Sequence, residues 1–213
     1  MFSLSDLNVF HNYNCGLLLL VLIFVLYRYV FLFLISFHQK LNLSYKGVEL
    51  ACSLLPIVIL ILQMIPSLYL LWKSNLFLES LLTLKVVAHQ WYWTYEVGDG
   101  LGLDFDSYIK SLDTLVLGDF RFLEVDNRLL VPVRVPVRFV ITSADVIHSW
   151  ALPRFFFKLD AMAGLLSVFN IEFNQLGVFY GQCREICGAN HRFIPIVVEV
   201  TAFARFLNWV LTL

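Results

Sequence analysis

The sequence predicts an α+β membrane protein, in which a hairpin of two transmembrane helices is followed by an all-β domain. Of the 213 residues, 60% are hydrophobic and 15% are charged, whereas soluble domains are roughly 45–50% apolar. Two long apolar segments come first, and short alternating segments follow them. We therefore expect a hairpin over residues 1–75 and one external domain over residues 76–213.

The two predicted spans are residues 17–37 and 50–72. The first is apolar over 21 residues apart from Arg28, and the second runs for 23 residues without a charge. A helix needs about 20 residues to cross a hydrocarbon core of about 30 Å. A buried helix of a globular protein rarely stays uncharged for so long, so both segments are predicted to cross a membrane.

The connection at residues 38–49 carries Lys40 and Lys46, whereas residues 1–16 contain no Lys or Arg. By the positive-inside rule, we expect the connection to be internal and both ends of the chain to be external. The first residues show neither a basic signal region nor an Arg-rich presequence.

The external domain is predicted from short segments rich in β-branched and aromatic residues with a period near two, at residues 121–126, 133–141 and 196–200. In residues 131–138 the prolines and arginines share one parity and the valines the other, which predicts an edge strand with valines inward. Turn signals rich in Gly, Asp and Asn occur at residues 98–100, 118–119 and 126–127. These patterns predict a sandwich or barrel that ends in a short helix around residues 202–213.

The most specific pattern is Gly-Gln-Cys-Arg-Glu-Ile-Cys-Gly-Ala-Asn-His at residues 181–191. It places Cys183, Cys187 and His191 at successive intervals of four, and His148 lies upstream at the end of another apolar segment. Two thiolates and two imidazoles form a ligand set suited to copper or zinc. Ligands held at the ends of rigid strands rearrange little when an electron arrives, which suits an electron-transfer metal.

Two other interpretations of the cysteines remain open from the residues alone. Cys183 and Cys187 could form a disulfide, because the domain is predicted to face outward, where such bonds persist. A structural zinc is compatible with the same ligand types. Cys15 and Cys52 lie at or inside the predicted spans and are interpreted as packing residues.

These motifs carry a resemblance to a known family. Residues 181–191, together with His-Gln-Trp-Tyr-Trp at residues 89–93 and Asp-Val-Ile-His-Ser-Trp at residues 145–150, resemble subunit II of cytochrome c oxidase. The similarity runs from the second span to about Val200 and includes residues 104–108 and 123–128. The resemblance implies that the external domain is a cupredoxin-like β-barrel.

The resemblance also implies a dinuclear copper centre, CuA. His148 and His191 would each hold one copper, and the thiolates of Cys183 and Cys187 would bridge both. The backbone carbonyl of Glu185 would complete one copper, while its carboxylate would reach a magnesium shared with subunit I, a hard cation that carboxylates suit. An ordinary loop acid is the alternative for Glu185.

One position departs from the family pattern. The family places a weakly bound methionine three residues after the second histidine, where this sequence has Ile194. Because the thiolates and imidazoles supply most of the binding, we expect copper to be retained with an altered potential and spectrum. Met162 is the alternative donor. Arg184 and Arg192 add positive charge that is expected to favour the reduced form.

Two further residues receive roles from the resemblance. Trp91 would be the residue through which electrons enter from cytochrome c; the alternative, an interfacial aromatic belt with Tyr92 and Trp93, is compatible with that role. Glu49 would stand at the entrance of a proton path into subunit I. Its alternative is an acid favoured by the dipole at a helix start.

Between residues 96 and 126 the sequence contains eight acidic residues and two basic residues. Clustered negative charge steers a basic partner and speeds its encounter at low salt. With the resemblance, this predicts docking of cytochrome c. The predicted docking acids are Glu96, Asp99, Asp106, Asp126 and Asp145.

The resemblance thus implies a subunit that accepts electrons from cytochrome c and passes them to haem and copper in subunit I, where oxygen is reduced to water and protons are pumped. The expected partners are cytochrome c, subunit I and other oxidase subunits, without nucleic acid. The expected location is the mitochondrial inner membrane, with the external domain in the intermembrane space; a bacterial plasma membrane is the alternative.

Three other classes of protein share parts of this pattern. A quinol oxidase subunit shares the hairpin and barrel but lacks these cysteines and histidines. A membrane-anchored copper carrier outside an oxidase would not need Glu49 or the Glu185 carboxylate. A structural or assembly protein with a disulfide would hold no copper.

Overall fold

The computed structural model describes residues 4–34, 45–74, 79–98 and 102–213. The chain divides into two compact units, Met1–Leu76 and Phe77–Leu213. The first contains the helices α1 (Leu4–Leu34) and α2 (Lys46–Ser74). Within them, Asp6–Leu34 and Lys46–Lys73 are long and apolar enough to cross a membrane. The helices extend beyond residues 17 and 50 at their starts, and residues 35–37 and Lys40 lie outside the described residues.

The two helices run antiparallel within their unit. Lys73 at the end of α2 pairs with Asp6 at the start of α1, with 2.6 Å between Nζ and Oδ2. Two prolines, Pro56 and Pro66, interrupt the hydrogen bonds of α2. Membrane helices tolerate proline where other groups satisfy the freed carbonyls.

In the second unit, besides short 3-10 helices, the described residues form ten strands and one α-helix. They are β1 (Leu82–His89), β2 (Tyr92–Val97), β3 (Leu103–Ser107), β4 (Leu129–Pro132), β5 (Pro136–Ser143), β6 (His148–Leu152), β7 (Phe157–Ala161), β8 (Ser167–Glu172), β9 (Gly177–Gln182), β10 (Pro195–Thr201) and α3 (Phe203–Val210). The helix α3 lies where the sequence predicts a terminal helix, and β10 covers the strand predicted at residues 196–200.

The strands form three sheets, with the orders β3-β2-β1-β5-β8, β4-β10-β9 and β6-β7. Strand β1 is parallel to β5, and β4 is parallel to β10. The two-helix, β-rich fold class is confirmed, although the sheets remain separate and do not close into one continuous barrel.

The domain core comes from the inward parity of the strands, as the period of two predicts. In β1, Leu84, Val86 and Ala88 are fully buried while their neighbours are half-buried. In β5, Phe139 is fully buried and contacts the ring of Trp150 from β6, with centroids 5.0 Å apart. This contact links the large sheet to the strand that begins at His148.

Two strand predictions are wrong. Residues 121–126 form turns with a single bridge from Val125 to Ile109. Residues 131–138 are not one edge strand: β4 ends at Pro132 and β5 begins at Pro136, and the two belong to different sheets. Arg134 between them has a φ of +57°. Proline lacks the N–H that a continuing ladder needs, so both prolines occupy strand ends.

Candidate metal centre

The four predicted side-chain ligands lie at one strand end and in the loop between β9 and β10, which contains Cys187. His148 begins β6, Cys183 follows β9, and His191 begins a short 3-10 helix, His191–Phe193, that leads into β10. A Cβ atom added at Gly181 would overlap the carbonyl oxygen of Ala151 in β6. The glycine therefore lets β9 approach β6 closely, which brings Cys183 to His148.

Backbone hydrogen bonds hold the loop that contains the cysteines. The N–H of Cys183 donates to the carbonyl of Ile194 at 3.0 Å, and the N–H of Arg184 donates to the carbonyl of Ser149 at 3.0 Å. The first bond closes the loop between β9 and β10, and the second ties that loop to the strand of His148.

The side-chain donors converge. Cys183 Sγ lies 3.9 Å from Cys187 Sγ and 3.9 Å from His148 Nδ1, and Cys187 Sγ lies 3.5 Å from His191 Nδ1. One ligand atom each from His148, Cys183 and Cys187 lies within 4.8 Å of the others, and all three residues are buried. Since metal–thiolate bonds are about 2.3 Å long, sulfurs at this separation can contact the same ion. The donor set fits a metal site.

Asp145 fixes the orientation of the His148 ring. Its Oδ1 lies 2.8 Å from Nε2, so Nδ1 faces Cys183. Such a carboxylate behind an imidazole is typical of metal-binding histidines. Burial raises the pKa of Asp145, but hydrogen bonds from His148 and from the N–H groups of Gln90 and Val146 outweigh it and hold the pKa below its ordinary value. The same bond, with one from Cys183, raises the pKa of His148 against the effect of burial.

The two thiols differ in acidity. Burial opposes ionisation of Cys183, but hydrogen bonds with His148 and with the backbone of Glu185 and Ser149 outweigh it and lower its pKa. Burial raises the pKa of Cys187, and the negative charge of the neighbouring Cys183 thiolate raises it further. The cluster therefore favours one thiolate in the metal-free chain, and it holds the second proton until a metal or strong base removes it.

The two polar groups of Glu185 lie in different surroundings. Its carbonyl oxygen is 3.4 Å from Cys183 Sγ, at the cluster. Its carboxylate is on the surface, 4.0 Å from Lys158 Nζ, with 43% of the side chain exposed. Only the carbonyl is thus placed beside the donors contributed by this chain.

Ile194 is buried, with 1% of its surface exposed. Its backbone carbonyl accepts the hydrogen bond from the Cys183 N–H that closes the loop. Its aliphatic side chain has no atom that could bind a metal. Met162 is half-buried in the segment after β7, and its carbonyl accepts hydrogen bonds from the Thr142 hydroxyl and the Leu165 N–H.

Trp91 lies beside the cluster, in the turn between β1 and β2. Its indole N–H donates to the carbonyl oxygen of Cys187 at 3.3 Å. The side-chain amide of Gln90 donates to the same oxygen at 2.8 Å. Sequence reasoning missed Gln90, because its position next to Trp91 gives no sign of the residue that its side chain contacts.

The predicted docking acids have different surroundings. Glu96 pairs with Lys85 at 2.7 Å, and Asp106 accepts from the Thr94 hydroxyl at 2.7 Å. Asp126 accepts from the N–H groups of Tyr108 and Asn127 at 2.8 and 2.7 Å. Asp99 lies outside the described residues.

Two other acids bear on the predicted functions. Glu124, one of the eight acids between residues 96 and 126, is buried, with 2% of its surface exposed. Its carboxylate pairs with Arg128 and accepts a hydrogen bond from the Tyr180 hydroxyl. It therefore adds little to the charge that a partner meets. Glu49 is exposed in the first turn of α2.

We expect the two site thiols of the metal-free chain to ionise in separate steps. In a Cys15→Ser, Cys52→Ser background, alkylation of each cysteine by iodoacetamide, followed by mass spectrometry as a function of pH, should show one thiol that ionises below the ordinary thiol pKa of about 8.5 and another that ionises above it. Cys183→Ser should remove the low step, because Cys183 is the thiol whose pKa is lowered. Two thiols that both ionise near the ordinary value would contradict this.

Comparisons with known proteins agree with this geometry. The family described as "Cytochrome C oxidase subunit II, periplasmic domain" matches residues 82–201. Cytochrome c oxidase subunit 2 of Ascaris suum is 54% identical over 96% of this chain and 89% of its own length. That of Aedes aegypti is 41% identical over 97% of this chain and 91% of its own length.

The solved structures add a likeness in fold. The crystal structure of the periplasmic domain of subunit II of cytochrome oxidase from Bradyrhizobium japonicum is 41% identical, with a TM-score of 0.59, and the match covers 63% of this chain and 94% of that one. Together with the two apolar helices and the cluster of two cysteines and two histidines, these matches show that the chain belongs to the cytochrome c oxidase subunit II family.

Proposed function

We propose that this chain carries a dinuclear copper centre, CuA, and that it passes electrons from cytochrome c to the haem and copper of subunit I for reduction of oxygen to water. The observation that carries the proposal is the convergence of two sulfur and two imidazole donors, with the cysteine sulfurs 3.9 Å apart. Membership of the family makes the chain a subunit of cytochrome c oxidase, which disfavours a copper carrier outside an oxidase.

The residues of the chain hold the metal in a fixed frame. His148 and His191 would each bind one copper, Cys183 and Cys187 would bridge both, and the Glu185 carbonyl would complete one of them. Copper, when bound, supplies one-electron redox chemistry. Because the loop that carries Cys183, Cys187 and His191 is closed by backbone hydrogen bonds and tied to the strand of His148, the donors can move little between oxidation states.

Trp91 is the proposed residue through which electrons enter. Its indole is half-buried, and one hydrogen bond of 3.3 Å joins it to the carbonyl of Cys187. This contact supports a path from an external donor through Trp91 to a bridging cysteine.

Copper analysis tests the proposed centre. The full chain, purified in detergent and loaded with copper, should hold two coppers and give the EPR signal of a delocalised mixed-valence pair. Cys183→Ser and Cys187→Ser should each abolish that signal, since each removes a bridging thiolate. Cys52→Ser, in α2, is the matched control and should keep it. A chain that binds zinc but no copper would contradict the proposal.

The same measurement separates the two candidate axial groups. Ile194→Met adds a thioether, so it should keep the copper stoichiometry and shift the EPR spectrum and the potential. Met162→Ala should leave the EPR signal unchanged, because copper is proposed to be retained without a methionine. A shifted EPR spectrum with unchanged copper content in Met162→Ala would instead identify Met162 as the donor.

Docking of cytochrome c is proposed at the acidic segment of residues 96–126. Asp104, Asp106, Asp113 and Asp126 are exposed there, which supports a negative surface suited to a basic partner. Glu96, Asp99 and Asp145 are the other predicted docking acids. Asp145 accepts hydrogen bonds from several groups of the site, so its contribution to docking has to be separated from that second role.

We expect kcat/KM for a basic cytochrome c to fall as ionic strength rises, because salt screens exposed charges. Asp106→Asn should lower kcat/KM at low salt, and the difference from the wild type should shrink at high salt. The amide can still accept the Thr94 hydrogen bond, so the variant removes mainly the charge. Glu79→Gln, exposed outside the acidic segment, is the control. Turnover indifferent to ionic strength would contradict docking by charge.

The remaining proposals concern the rest of the oxidase. We place the complex in the mitochondrial inner membrane, with the external domain in the intermembrane space and other oxidase subunits as partners. The exposed Glu185 carboxylate is proposed to bind a magnesium together with subunit I, which would supply further ligands. Glu49, exposed at the start of α2, is proposed to stand at the entrance of the proton-uptake path that serves oxygen reduction and pumping.

Glu49→Gln in the assembled oxidase should slow turnover while the copper content and EPR signal stay unchanged, because the change removes a proton-exchanging group far along the chain from the copper ligands. Glu79→Gln serves again as the control for loss of one exposed carboxylate. Unchanged turnover in Glu49→Gln would contradict the proposed role.

A further inference from the structure

We propose that Gln90 is a positioning residue: its side-chain amide holds the Trp91 indole in place against the backbone carbonyl of Cys187. The position of the indole N–H on that carbonyl is called the seat below. The significance of this seat for electron transfer rests on the proposed function. The contacts that form it involve only this chain, so they can be tested without metal.

The first observation is a carbonyl with two donors. Gln90 Nε2 and Trp91 Nε1 lie 2.8 and 3.3 Å from the oxygen of Cys187. A carbonyl oxygen has two lone pairs, so both bonds can form together. The bond from Gln90 is the shorter, and Gln90 is adjacent to Trp91 in the chain. Loss of the amide would remove the shorter of these two bonds and leave the longer bond from the indole.

The second observation is the glycine that follows Cys187. Gly188 has a φ of +119°, and a Cβ atom there would lie 3.1 Å from Gln90 Nε2 and 3.3 Å from two atoms of the Trp91 ring. Contacts this close require the neighbours to shift. A side chain at residue 188 would therefore push the two groups that bind the Cys187 carbonyl by a few tenths of an ångström.

The third observation is an anchor for the backbone of the turn. The N–H of Gln90 donates to Asp145 Oδ2 at 2.7 Å, and the other oxygen of that carboxylate lies 2.8 Å from His148 Nε2. The turn is thus bonded on one side to Cys187 and on the other, through Asp145, to His148. Two of the proposed copper ligands, Cys187 and His148, thus share one hydrogen-bond network with the indole, so the seat fixes the distance from Trp91 to the centre.

The experiment uses the full metal-free chain in detergent, labelled with 5-fluorotryptophan and observed by fluorine NMR. The Trp91 line is assigned from its loss in Trp91→Phe. Gln90→Met keeps the length of the side chain and removes the donor, so the Trp91 line should shift and broaden. The ratio of seated to displaced indole should fall about five-fold, as loss of one net hydrogen bond implies. Gln90 is exposed, so the variant is expected to fold.

Matched variants separate the seat from general effects. Gln175→Met changes another exposed glutamine of the same domain and should leave the Trp91 line in place. Gly188→Ala should displace the line. Gly118→Ala is the control for backbone strain: Gly118 has a φ of +105°, and a Cβ atom there would have no neighbour within 4 Å. This variant should leave the Trp91 line unchanged. An unchanged Trp91 line in Gln90→Met overturns the proposal.

The copper-loaded oxidase supplies the functional readout. Gln90→Met should keep the copper content and EPR spectrum and leave KM for cytochrome c unchanged, while it slows the first electron transfer from bound cytochrome c. A displaced Trp91 line with an unchanged electron-transfer rate would overturn the role of the seat. Absence of the copper signal in the wild type would instead contradict the proposed function and leave the metal-free NMR result standing.

Discussion

The hydrogen bond from the Cys183 N–H to the Ile194 carbonyl, 3.0 Å long, closes the loop on which the site depends. Three of the four converging side chains, Cys183, Cys187 and His191, lie at or within its bounds. The fourth, His148, is brought alongside by the close approach of β9 and β6 at Gly181. The arrangement of donors therefore follows from backbone contacts, and the side chains have little freedom left to lose when a metal binds.

The fold was predictable where the pattern is local. Continuous apolar runs predict the two helices, and the period of two predicts β10 and most of β5. Strand β1 was not predicted. The failures at residues 121–126 and 131–138 have a shared cause: an alternating pattern does not reveal which sheet a segment joins or where the chain reverses. Phe122 and Arg134, with φ of +67° and +57°, turn the backbone in a region that bulky residues seldom occupy. The identity of these two side chains does not predict a positive φ.

In the candidate site too, the features set by local sequence were predictable and those set by long-range contacts were not. The intervals between Cys183, Cys187 and His191 are local, so these three ligands could be predicted from the sequence. His148 was joined to them as a second imidazole at the end of another apolar segment, and the resemblance added the role of Trp91. The parts that depend on distant contacts could not be read: the amide of Gln90 on Cys187, the two-sided role of Asp145, and the space that Gly188 leaves. Glu124 illustrates the same limit in the acidic segment, because its burial with Arg128 and Tyr180 is set by strands far along the chain.

Ile194 contributes to the site through its backbone, while its side chain lies buried next to the loop closure without a donor. The structural duty of this position is thus independent of the side chain it carries. Any residue that fills the same space can close the loop. In the proposed copper centre, the choice among them would decide whether a thioether is present beside the metal, so the potential of the centre could change while the loop that holds it stays the same.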